Sequence, residues 1–88
     1  MAKKISIKVF ADPGHAWARF PKAKLVSLGI ADKISTYSYM NGSNVFLEED
    51  CDLSVLIKVL RDLGYEIKFN ESHTNRQSKI RNYSTYRA

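Results

Sequence analysis

Ile5-Ser6-Ile7-Lys8-Val9-Phe10-Ala11-Asp12-Pro13-Gly14-His15-Ala16-Trp17-Ala18-Arg19-Phe20 is the stretch that decides the fold. Ile5, Ile7 and Val9 alternate with Ser6, Lys8 and Phe10, the period of two that marks a half-buried strand. Asp12-Pro13-Gly14 breaks the run as a turn. Beyond it Ala16, Ala18 and Phe20 alternate with His15, Trp17 and Arg19, so a second strand folds back on the first. Proline at the turn's second position and glycine at its third predict a type II turn, with positive φ at Gly14. A hairpin at this point commits the chain to a sheet, which the remaining segments must extend or cover.

Pro21 opens a short helix over Lys22 to Leu28, and Gly29 ends it as a left-handed C-cap. Ile30 to Ile34 adds one further turn. Ser35–Met40 and Asn44–Glu48 read as strands. Asn41-Gly42 between them signals a type I′ hairpin, with Ser43 leaving a three-residue loop as the alternative. Asp50 or Asp52 caps the next helix at its positive end, and Leu53, Leu56, Ile57, Leu60 and Leu63 form its apolar stripe. Gly64 stops it. Tyr65, Ile67 and Phe69 then alternate with Glu66 and Lys68 as a last strand. The order ββ-α-ββ-α-β predicts an α+β fold: two hairpins plus a last strand in a small, mainly antiparallel sheet of four or five strands, with two helices on one face.

With 88 residues, 44% of them hydrophobic, the chain has room for one core. That core is assigned to residues 1–71, and residues 72–88 form a basic, tyrosine-containing C-terminal segment, either a docked strap or a flexible arm. One Trp, five Tyr and four Phe with 26% charged residues exclude wholesale disorder. The single Cys51 excludes an internal disulfide and points to a reducing compartment. The charged opening Met1-Ala2-Lys3-Lys4 is not a signal peptide, and no run approaches the ~20 apolar residues of a membrane span. A cytoplasmic protein with no membrane partner is expected.

The net charge of +5 is unevenly laid out. Residues 1–47 hold seven Lys/Arg against two Asp; residues 48–72 hold three against seven acids; residues 73–88 hold Arg76, Lys79, Arg81 and Arg87 with no acid. A positive field of this kind favours polyanions.

The chemistry-bearing residues give no reaction signature. Glu48, Glu49, Asp50 and Asp52 surround Cys51 and disfavour its thiolate, so an inert, partly buried thiol is expected. The same acids lack the spaced ligands of a calcium loop and read as a helix start. His15 and His73 stand far apart in sequence, outside any zinc-ligand frame. No catalytic residue, cofactor or metal is expected. Asp12, His15 and Trp17 gather an acid, an imidazole and the only Trp at one turn, either as a recognition edge or as a turn cap and a sheet anchor. Tyr37 and Tyr39, at i and i+2, share a strand face that can stack bases or pack. In the C-terminal segment His73, Arg76, Lys79, Arg81 and Arg87 supply forks and cations for phosphate or carboxylate, and Tyr83 and Tyr86 supply stacking or packing surface. Ile80, Tyr83 and Tyr86 recur at i, i+3 and i+6, which predicts a docked or partner-induced helix.

Asp12-Pro13-Gly14-His15-x-Trp17, Tyr37-Ser38-Tyr39, Leu47-Glu48-Glu49-Asp50-Cys51-Asp52 and His73-Thr74-Asn75-Arg76-x-Ser78-x-Ile80-Arg81-Asn82-Tyr83 together resemble small accessory proteins of bacteriophages and other mobile elements. The likeness spans nearly the whole chain and brings no established activity with it. It implies a bacterial host cytoplasm and a role in binding host machinery, defence systems, nucleic acid or nucleotides. The reading is a non-enzymatic binding module that contacts nucleic acid or a nucleoprotein through its basic and aromatic surface. The alternatives are a protein–protein inhibitor of a host bacterial system, anti-CRISPR-like or host-takeover, and a nucleotide-binding sponge or His-based enzyme using His15 and His73.

Overall fold

Strands β1 (Lys3–Ala11) and β2 (Ala16–Pro21) pair antiparallel, with Val9 opposite Ala18 and Phe10 opposite Trp17, in a computed structural model that describes residues 3–76 and 78–88. Met1 and Ala2 of the expected charged opening, and Gln77 of the C-terminal segment, lie outside the described residues. The turn joining the strands is not type II, because Gly14 does not take positive φ. The Asp12 carboxylate closes it instead: Oδ1 accepts the N–H of Gly14 and of His15, each at 2.9 Å.

Helix α1 (Lys22–Ser27) starts beyond Pro21, and a 3₁₀ turn follows at Ala31–Lys33. The expected strand from Ser35 shrinks to β3 (Tyr39–Asn41). The reason is Asp52, whose carboxylate accepts the Ser35 N–H at 3.0 Å, the Ser35 hydroxyl at 2.7 Å and the Ser38 hydroxyl, curling Ser35–Ser38 into a turn. β4 (Asn44–Glu48) pairs with β3 with Asn41 opposite Asn44, so the loop is Gly42-Ser43, one residue later than expected. Gly42 alone has positive φ, at 60°, the type II′ pattern rather than I′.

Helix α2 (Leu53–Asp62) buries Leu56 and Leu60, with Val55 and Val59 beside them. Leu63 falls off the stripe and is 48% exposed. Asp52 stands at the helix start, but its carboxylate serves the Ser35–Ser38 turn and makes no cap bond. β5 (Tyr65–His73) pairs with β1 in parallel, Ile5 opposite Ile67 and Ala11 opposite His73. Both β1 and β4 run antiparallel to β2, and α2 is the crossover that returns the chain in the direction β4 had. The sheet is thus mostly antiparallel but six-stranded, in the order β5-β1-β2-β4-β3-β6.

Strand alternation divides the core. Ile7, Val9, Ala11, Ala16, Ala18, Phe20, Val45 and Leu47 cluster with Leu25 of α1 and with Leu56 and Leu60 of α2. The other alternation phase makes a second cluster, Trp17, Phe46 and Ile80, flanked by Phe10, Tyr39 and Tyr83. Ile80 and Tyr83 come from the C-terminal segment. That segment leaves β5 at one edge of the sheet, crosses the second face in a 3₁₀ turn at Lys79–Asn82, and adds β6 (Ser84–Thr85) beside β3 at the other edge. The spacing of Ile80, Tyr83 and Tyr86 produces this single turn and not a longer helix, because Tyr86 dives into the main core, 2% exposed, and donates its hydroxyl to the Ala31 carbonyl at 2.5 Å. The described residues of this segment thus lie along the second face and end beside β3, and Ser72 and His73 belong to β5.

Candidate cleft and basic face

Asp12 ties the strap to the first hairpin. Besides its turn bonds, Oδ2 accepts from the Ser78 N–H at 3.0 Å and from Arg81 Nε at 2.8 Å, and Arg81 Nη2 donates to Oδ1 at 3.0 Å. The carboxylate is almost wholly buried. The Arg81 guanidinium, aided by the surrounding N–H donors, holds its carboxyl far below the usual range, and Asp12 in turn raises Arg81. Arg81 also lies over the Trp17 ring, 5.1 Å from its centroid. Gly14 leaves room for this guanidinium: a Cβ on it would sit 2.9 Å from Arg81 Nη2 and push on the end of that side chain. Gly14 thus lies against the guanidinium and does not take a left-handed turn conformation.

Beside this tie lies a cleft of about 260 Å³ lined by His15, Trp17, Tyr37, Tyr39, Glu48, Asp50, Cys51 and Arg81. The register explains the gathering: Trp17 on β2 stands directly opposite Glu48 on β4. Glu48 is 6% exposed, and its Oε2 accepts the N–H groups of Asp50 and Cys51, each at 2.9 Å. Its Oε1 lies 3.3 Å from His15 Nδ1 yet has no hydrogen-bond partner. Trp17 lines this cleft too, and its Nε1 is likewise buried and unpartnered. Behind the cleft Ser38 links three elements: its hydroxyl donates to Asp52 and accepts the Glu48 N–H, and its carbonyl accepts the Tyr86 N–H. Cys51 is exposed, not partly buried as expected. Partial desolvation and the carboxylates of Glu48, Asp52 and Asp50 push its thiol up, so it stays protonated at neutral pH.

Asp12, His15 and Trp17 thus meet Arg81, Tyr37 and Tyr39 in one corner. Tyr37 comes from the turn before β3 and is 70% exposed; Tyr39 is half-buried on the strand. His73 does not join them. It pairs with Glu71 at 2.8 Å and lines a separate hollow with Arg76, Lys79, Phe10 and Ser78, so His15 and His73 form no common site. Tyr83 packs on Phe46 at 5.1 Å, and Arg87 is exposed, its carbonyl accepting from Lys22 Nζ at 2.7 Å. Among the tail cations, Arg81 is spent on Asp12, while Arg76, Lys79 and Arg87 remain exposed.

A second surface was not singled out by the sequence. Beyond the strap, Lys8 and Arg19 project from β1 and β2 and, with Lys24 of α1, Ser6, Asn44 and Asn70, line a shallow hollow of about 670 Å³ that reaches from the second face round to α1. Lys68 stands beside Ser6 in the β1–β5 register. Lys8 and Arg19 both lie over the Phe10 ring, at 5.2 and 5.6 Å. Among the described residues, none of these four cations is in an ion pair. The alternation that buries Ile7 and Ala18 was the available signal, since it sends Lys8 and Arg19 to the same opposite face.

Comparison with family profiles, curated proteins and solved structures finds no match to this chain. No described helix is long and apolar enough to cross a membrane.

Proposed function

We propose that the chain is a non-enzymatic module that grips the phosphate backbone of nucleic acid on the uncovered part of its sheet. The observation that carries this is the unpaired set Lys8, Arg19 and Lys24 lining a hollow with Asn44 and Asn70, with Lys68 beside Ser6 at its edge. Cations without acidic partners keep their full attraction for a polyanion, whereas Arg81 is already neutralised by Asp12. Exposed Arg76 and Lys79 extend the positive surface along the strap. The motif resemblance to small mobile-element proteins agrees with such a module working in a bacterial host cell.

The test is fluorescence anisotropy with labelled single- and double-stranded oligonucleotides across a salt series. Four phosphate contacts predict a slope of log K against log salt of about −3.6 on duplex. The Lys8→Glu/Arg19→Glu variant should lose binding while keeping its melting temperature. A flat salt dependence, or unchanged affinity in that variant, refutes the reading.

A further inference from the structure

His15, Glu48 and Asp50 come from the first hairpin, the end of β4 and the turn after it, and their ligand-capable atoms all lie within 4.8 Å of one another. Acidic residues beside a histidine are common without any ion, so proximity alone says little. The decisive feature is Glu48. Its side chain is buried, and burying a carboxylate oxygen without a partner is costly. His15 Nδ1 is close enough to serve Oε1, but the geometry fails as a hydrogen bond. Two ligands held about 2.1 Å from one ion in a tetrahedral site stand about 3.4 Å apart. The 3.3 Å between His15 Nδ1 and Glu48 Oε1 matches that spacing.

We propose that this corner is a binding site for a divalent transition ion, with the His15 imidazole and the Glu48 and Asp50 carboxylates as protein ligands. One nitrogen and two oxygens suit a zinc-class ion better than magnesium or calcium, which favour all-oxygen shells. Glu48 Oε2 is fixed by the Asp50 and Cys51 N–H groups, which leaves Oε1 as the coordinating atom. His15 and Asp50 are exposed and free to close by rotamer changes. Arg81 lines the same cleft, but its charge is met by Asp12, so the corner stays attractive to a cation. Three protein ligands leave a coordination position open to the cleft for a water or a small oxygen ligand.

The probes are the metals alone, Zn²⁺ by titration calorimetry and Co²⁺ by its visible absorption, with the full chain. This site is independent of the nucleic-acid surface, and no oligonucleotide enters the assay. One equivalent of metal should bind, and His15→Ala and Asp50→Asn should each weaken it about tenfold or more. Both residues are exposed, so circular dichroism should show the fold intact. His73→Ala should leave the stoichiometric site in place, since His73 and Glu71 lie in another hollow. The proposal falls if no binding is seen at about 100 µM metal. It also falls if the His15→Ala/Asp50→Asn double variant binds as wild type does, or if His73→Ala alone removes the site.

Discussion

Replacing Ile80 by Ala tests whether the strap is part of the fold. Ile80 is 3% exposed and packs with Trp17 and Phe46 on the face opposite the helices. Truncation removes three buried carbons, worth about 2.4 kcal/mol at ~0.8 kcal/mol per methylene. A residual cavity would add to this, but the strap lies at the surface and can settle inward, so the expected loss is about 2–3 kcal/mol. For a domain of this size that is a fall in melting temperature of roughly 10–20 °C. The molecule supplies its own reporter, because the only tryptophan, Trp17, lies beneath Ile80 and Arg81. Urea unfolding followed by Trp emission and by far-UV circular dichroism should give coincident transitions, both shifted. A loss below about 0.5 kcal/mol, the range of ordinary surface substitutions, with Trp17 emission unchanged, would show that the strap does not cover the sheet.

Two further outcomes concern pH. The Asp12 carboxyl is held below its ordinary 3.8 by Arg81, so its stabilisation is complete above that value and fades as pH falls toward the folded pKa. The urea-midpoint deficit of Asp12→Asn should therefore be full at neutral pH and shrink below about pH 4; a deficit constant down to pH 2 would contradict the pairing. Burial raises the Tyr86 hydroxyl above its ordinary 10.0, so its contribution holds below that pH and is lost as pH climbs through the folded pKa. Tyr86→Phe should cost about 1 kcal/mol at neutral pH, from the lost bond to the Ala31 carbonyl, and should flatten the alkaline limb of the stability curve in thermal melts; an unchanged limb counts against it.

Elements whose signal is local were legible. The β1–β2 hairpin, both helices and the last strand follow from alternation, helical spacing and chain breakers in their own residues. What misled was side-chain chemistry acting at a distance. Asp52 reads as a helix cap, but it faces Ser35 and Ser38 across the fold and takes Ser35–Ser38 out of the expected strand. Gly14 reads as a left-handed turn residue, yet it takes no positive φ and instead lies against the guanidinium of Arg81, 67 positions later. Leu63 fits the helical spacing, but the helix has ended at Asp62 and the side chain points outward. The strap's path was beyond local pattern for the same reason: its anchors, Asp12 for Arg81 and Ala31 for Tyr86, lie far away in sequence.

The strap also explains why the cleft and the fold cannot be separated. A sheet with helices on one face leaves aromatic Phe10, Trp17, Tyr39 and Phe46 open to water on the other. Covering them fully would have buried the cations as well. The strap covers only the aromatic part, through Ile80 and Tyr83, and stops short of Lys8, Arg19 and Lys68. Its Arg81 closes one wall of the cleft, and its Tyr86 N–H reaches the Ser38 carbonyl, whose hydroxyl holds both Asp52 and the Glu48 N–H. Loosening the strap at Tyr86 therefore disturbs Glu48 through Ser38, while loosening it at Arg81 opens the cleft directly and exposes Trp17. The two ends should be distinguishable, since only the second changes the surroundings of the indole without first disturbing the main core.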